Sequence, residues 1–286
     1  MRLDDFDPNA VNVEDQRGGG FSMGGAGGKV GCGTLVIALI GALVFGIDPT
    51  AMLGGLEQVQ QQGPVQTQGG TDATSSCTID AISRETCSAL SSLNKTWTPV
   101  FAAANVPFKQ PKLVFYSQMG RSGCGTAQSA MGPFYCPGDQ GIYIDTDFYK
   151  EMEQRMGAGG DFARAYVIAH EYGHHIQTLT GISDQIRSLQ AQRPNAANQL
   201  QVRMELQADC YAGVWAAKNR SFIEPGDMEE GLNAAHAIGD DTLMANAGRR
   251  PVEASFTHGS SAQRVEALRR GLQSGDDSVC DAFMQR

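Results

Sequence analysis

The sequence predicts an α+β fold that is mostly helical and carries one small sheet. Three observations predict it. Apolar residues recur at helical spacing over several long stretches. Short apolar runs punctuated by glycine and proline cluster between residues 112 and 145. A charge-free run at 30–47 divides a polar N-terminal part from a globular remainder. The 286 residues suffice for one large domain with a tail. The formal net charge is −9, and no lysine–arginine cluster interrupts it, which excludes nucleic acid as the main partner.

Residues 1–29 read as a polar, glycine-rich leader, with acids at Asp4, Asp5, Asp7, Glu14 and Asp15. Residues 30–47, VGCGTLVIALIGALVFGI, are just long enough at about 1.5 Å per helical residue to cross a bilayer core, and are expected to form a transmembrane anchor. The long acidic leader and the lack of an A-x-A site argue against a cleaved signal peptide. Cys32 opens the run instead of following it, which argues against lipoprotein processing. Arg17 and Lys29 precede the run and no basic residue directly follows it. This favours a single pass with the N-terminus in the cytoplasm and the globular part outside. Residues 48–76, rich in Gly, Gln, Thr and Ser, read as a flexible tether to a domain at 77–286. Apart from Cys32, that domain holds an even set of cysteines, which suggests disulfides in an exported domain. Among the alternative pairings, the nearest-neighbour set is expected: Cys77–Cys87, Cys124–Cys136 and Cys210–Cys280.

Within the domain, Ile79, Ile82, Leu90, Leu93, Trp97 and Phe101 mark one long helix over 79–105, or two broken near Pro99. Strands are expected at 112–116, 134–136 and 142–145. A helix then opens at Asp161, a candidate N-cap, and stops at Gly181. Phe162, Ala165, Ala169, Gly173 and Ile176 form its apolar stripe. A second helix covers 195–219, a third follows Pro225, and a last one starts near Ser260, where Ser260 and Gln263 have capping-box spacing.

The helix opened by Asp161 carries His170-Glu171-Tyr172-Gly173-His174, an H-E-x-x-H pentad. Residues i and i+4 share one helix face, so both histidines can aim a ring nitrogen at one metal ion, while Glu171 can hold a water bound to it. This is the working pattern of a zinc hydrolase that cuts peptides, with one zinc per chain. Catalytic zinc usually takes three protein ligands. Position 180 is Thr180, so the third ligand is not a histidine six residues past His174. Glu205 and Asp209, i and i+4 on the next long helix, supply the alternative: Glu205 binds the metal and Asp209 accepts an N–H from a liganding histidine. His175 lies about 100° around the helix from His174 and cannot share its metal face. His236, among alanines, carries no motif, and Tyr172 reads as packing.

Residues 112–271 resemble the neutral zinc metallopeptidase family of bacterial membrane-tethered proteins. CGTAQSAMGPFYCPGDQGIYID, AYVIAHEYGHHIQ, MELQADCYAGVW and THGSSAQRVEALRRG carry the resemblance. It implies a zincin-like, gluzincin-type peptidase domain on the outer side of the bacterial cytoplasmic membrane, with zinc on His170, His174 and Glu205 and a peptide or protein as substrate. A more distant resemblance to HtpX-like metallopeptidases rests on Thr257-His258 followed by Arg264, with Gly259 where that pattern has proline. It implies that His258 and Arg264 face the cleft, where His258 with Arg264 would stabilise the oxyanion; Arg264 equally fits a structural ion pair. Two other functions fit the same residues: a non-catalytic, zinc-stabilised envelope adaptor, and a zinc amidase on a non-peptide substrate. An intact Glu171 favours the hydrolase, since a structural zinc needs no general base.

Overall fold

The computed structural model describes residues 1–17 and 72–285. The anchor expected at 30–47 lies outside the described residues, as does the tether up to residue 71. Among the described residues, no helix is long and apolar enough to cross a membrane.

The three expected strands form, and two further features join them. Strands β1 (Asn12–Asp15), β2 (Lys112–Tyr116) and β6 (Gly141–Asp145) are parallel. Strand β5 (Phe134–Cys136) closes the other side antiparallel to β6, so the order is β1-β2-β6-β5. Strands β3 (Met119–Ser122) and β4 (Gly125–Gln128) make a separate hairpin. Asp145 pins the hairpin's base by accepting the Gln118 N–H and the Ser129 hydroxyl.

Strand β1 moves the expected domain boundary. Residues 1–17 are the first part of the folded domain and not a separate leader: Val13 pairs in register with Leu113, and Met1, Phe6, Val11 and Val13 are buried in the main core. The sequence Asn-Val-Glu-Asp conceals this strand because an edge strand needs only one buried side chain here, Val13.

The helices follow the expected order with additions. Helix α1 (Ala73–Cys77) occupies the end of the stretch read as tether. The Cys77–Cys87 disulfide joins it to α2 (Ala81–Ala103), which runs unbroken through Pro99. Helices α3 (Asp147–Met156), α5 (Ile182–Gln192) and α8 (Asp240–Asn246) are short and were not expected. The pentad lies on α4 (Asp161–Leu179), and Glu205 and Asp209 lie on α6 (Ala197–Lys218). The remaining helices are α7 (Asp227–Ala237) and α9 (Ser261–Ser274), the latter closed by the expected Ser260–Gln263 capping box. Asp161 is the first helical residue of α4 and not its cap; Gly160 takes the cap position with φ 111°. The Asp161 carboxylate instead accepts from the Met1 amino group, which also donates to Asp227 at 2.8 Å. All three disulfides pair as expected.

Helix α4 sits between α2 and α6. Tyr172 donates its hydroxyl to Asn94 on α2 at 2.8 Å, and Trp97 meets Tyr211 edge-on at 5.6 Å. Against α6 the helix approaches through glycine. A Cβ on Gly173 would stand 2.7 Å from the Ala208 Cα and 2.9 Å from its Cβ. The sequence therefore permits α4 and α6 to touch between the two halves of the candidate site. Gly173→Ala is expected to destabilise the fold by about 1–3 kcal/mol through overpacking. A urea midpoint unchanged from wild type would contradict this close contact.

Candidate metal centre

The H-E-x-x-H spacing works only if the helix holding it is rigid, and α4 is buried along most of its length. His170 and His174 both turn Nε2 toward Glu205. The Glu205 Oε2 lies 3.2 Å from His170 Nε2 and 3.5 Å from His174 Nε2. Donor atoms of this triad all fall within 4.8 Å of one another. Around a tetrahedral zinc with bonds of roughly 2.0–2.1 Å, ligand atoms are separated by about 3.3–3.5 Å. The observed spacings thus match a shared ion. The chemistry suits one: a buried carboxylate facing two imidazole nitrogens is satisfied by a positive charge, a metal ion or a proton, among them.

Neighbouring groups fix each ligand. The His170 Nδ1–H donates to Asp209 Oδ1 at 2.8 Å, which leaves Nε2 as the free lone pair. The His174 Nδ1–H donates to Gln177 Oε1 at 2.8 Å, and Gln177 is held in turn by donating to the Met204 carbonyl and to Gln207. Gln201 donates to the second Glu205 oxygen at 2.8 Å. Without an ion, protons take the place of the metal. Burial opposes charge on His170, but Asp209 and Glu205 outweigh it and hold its pKa up to about 9. Burial likewise opposes charge on Glu205, yet His174 and His170 hold its carboxyl well below the usual range. Metal binding at neutral pH therefore releases protons.

Glu171 is 8% exposed, within electrostatic reach of both histidines and Glu205, and burial raises its pKa. A carboxyl shifted in that direction suits a base that must both take and return a proton.

His258 and Arg264 part company. Asp240, itself buried, accepts the backbone N–H groups of Thr257, His258 and Gly259 on one oxygen and faces His258 Nδ1 at 3.2 Å with the other. That clamp fixes the position of the His258 ring, which is itself buried. Of the two roles open to Arg264, an oxyanion partner or a structural ion pair, the described contacts are those of the ion pair. It is 2% exposed and committed to Asp209, with Nε to Oδ2 and Nη2 to Oδ1, both at 2.9 Å. It also donates to the Ile238 carbonyl and the Tyr166 hydroxyl. Its guanidinium locks the carboxylate that orients His170.

His175 and His236 lie apart from the triad. His236 is exposed. His175 is fully buried: its Nε2–H donates to the Lys109 carbonyl at 2.6 Å, and Nδ1 accepts from Tyr135 on β5 at 3.1 Å. Burial holds its pKa down to about 4, against an ordinary 6.5. On acidification below pH 6.5 the unfolded chain takes up a proton that the folded ring refuses until about pH 4. The contribution is full above that window and is lost through it, at up to about 1.4 kcal/mol per pH unit. The metal-loaded wild type should thus lose thermal stability more steeply below pH 6.5 than His175→Gln. Parallel slopes would contradict the neutral buried ring.

Three supporting residues escaped the sequence reading. Gln177 and Tyr166 each had a local signal, being three residues after His174 and four before His170 on the same helix. Tyr166 donates to Asp209 at 2.6 Å. Asp240 had none, since it meets His258 only through tertiary packing.

A mostly helical α+β domain here brings two histidines and one glutamate to a single point, with a buried glutamate alongside, a group able to hold a metal ion. The chain belongs to the family described as "Putative neutral zinc metallopeptidase", whose profile matches residues 5–283. Among its relatives is an uncharacterized protein of Escherichia coli, YpfJ, which is 46% identical over 282 residues, covering 95% of each chain. Another is an uncharacterized protein of Mycobacterium tuberculosis, Rv2575, 36% identical over 263 residues and covering 85% of each chain. No solved structure matches the chain.

Proposed function

We propose that this domain hydrolyses peptide bonds, with a single zinc held by His170, His174 and Glu205. The carrying observation is that the Glu205 Oε2 stands at zinc-like separations from both histidine Nε2 atoms with Glu171 beside them, while three protein ligands leave a place for water. When bound, zinc supplies a Lewis acid that polarises the scissile carbonyl and acidifies a bound water toward about pH 7. Glu171 would take a proton from the attacking water and return it to the leaving amine. His258, oriented by Asp240, would donate to the carbonyl oxygen as charge develops. Strand β5 is the sheet edge tied to α4 through Tyr135 and His175, and an extended peptide would pair with it through backbone hydrogen bonds.

The test is cleavage of a mixed peptide library by the full-length protein. Wild type loaded with zinc should cleave, lose activity to a chelator, and recover it on zinc addition. Glu205→Ala should bind less than one zinc per chain under conditions that saturate wild type. Cleavage indifferent to chelator, or full zinc occupancy in Glu205→Ala, would overturn the assignment.

A further inference from the structure

The charge-free run at 30–47 lies between two described residues that meet in the fold, Arg17 and Ser76. The Arg17 guanidinium donates to the Ser76 carbonyl at 3.0 Å and to Ser83 at 2.6 Å, pairs with Asp15 at 2.6 Å, and stacks over Phe115 at 4.3 Å. Just ahead of it, β1 pairs with β2 over four residues, and the Gln16 N–H donates to the Phe115 carbonyl at 2.7 Å. Asn94, buried on α2, donates to the Ala10 carbonyl at 2.8 Å. The family profile, which begins at residue 5, takes in this strand as well as the metal site.

A single transmembrane crossing at 30–47 would place about 30 Å of hydrocarbon between residues 1–17 and the rest of the domain. It would strip β2 of a neighbour and expose Val11 and Val13, both buried here. Arg17 and Ser76, the described residues on either side of the run, meet at one corner of the domain, where Ser76 belongs to α1.

We infer that residues 1–17 are the first strand of the metal-binding domain and share its side of the membrane, so that any attachment through 30–47 is made from that one side. The buried Cys77–Cys87 and Cys210–Cys280 disulfides then place both parts in one oxidising compartment. This replaces the arrangement expected from charge bias, with the N-terminus and the domain on opposite faces. It does not depend on catalysis.

The test uses the full-length chain in a Cys32→Ser background, carrying either Asp5→Cys or Asp184→Cys. Both sites are surface positions, with side chains 76% and 82% exposed. A membrane-impermeant maleimide is applied to intact spheroplasts and to detergent-opened ones. The expected result is labelling before permeabilisation at both positions; labelling of both only after it would overturn the shared oxidising compartment. Opposite patterns would overturn the inference. As a check on the strand itself, Val13→Asp should lower the thermal midpoint of the detergent-purified protein. An unchanged midpoint, as for a detached leader, would also overturn it.

Discussion

Replacing Glu171 by glutamine is expected to leave zinc bound at one per chain while peptide cleavage falls by about 10²–10⁴-fold, the usual worth of a positioned general base. The substitution keeps the shape of a side chain that is 8% exposed, so the packing of α4 should not change. It removes only the group that can take a proton. Burial already raises the Glu171 pKa, and the nearby His170 and His174 partly offset that rise. A carboxyl in this position can take up and return a proton, whereas a carboxamide cannot. Because Glu171 is not one of the three ligands, resistance to a chelator should match wild type. Residual cleavage close to wild type would remove Glu171 from the chemistry. Lost zinc would instead make it part of the metal's support.

The largest expected loss of stability comes from Asp209→Ala. Asp209 is fully buried and accepts from His170, Tyr166 and both Nε and Nη2 of Arg264. Burial penalises its charge, but Arg264 and His170 hold its pKa down to about 2. Removing it strands a buried guanidinium without its counter-ion, at a cost of about 3–5 kcal/mol. It also frees the His170 ring, which should weaken zinc binding by about 10–100-fold. The two effects separate in the double variant Asp209→Leu with Arg264→Met. Apolar replacement of a buried pair is often neutral, so the urea midpoint should recover while zinc affinity stays low. If Arg264 faced a substrate instead of Asp209, the single variant would keep its stability, and that outcome would reject the arrangement.

The parts of this site legible in the sequence are those with a local period. His170 and His174, like Glu205 and Asp209, are separated by one helical turn, and a turn places side chains on one face whatever the tertiary fold. Capping chemistry likewise disclosed α9 through Ser260 and Gln263. What stayed hidden depends on contacts between distant segments. Arg264 sits on α9 at a position open to several roles, and only the packing of α9 against α6 delivers it to Asp209. That packing is close: a Cβ on Gly213 would fall 2.2 Å from the Leu268 carbonyl oxygen. Strand β1 was missed for a related reason. Its apolar content is a single valine, and its partner, β2, lies about a hundred residues away, so neither alternation nor proximity marked it.

X-ray absorption at the zinc edge of the purified full-length protein tests the central claim most directly. The account predicts one zinc per chain, two imidazole nitrogens at about 2.0–2.1 Å, a carboxylate oxygen, and an oxygen ligand exchangeable with water. Loss of one nitrogen in His174→Ala should accompany weaker binding. A chain that binds no zinc, or a closed shell of four protein ligands that persists when His170, His174 or Glu205 is replaced, would contradict it.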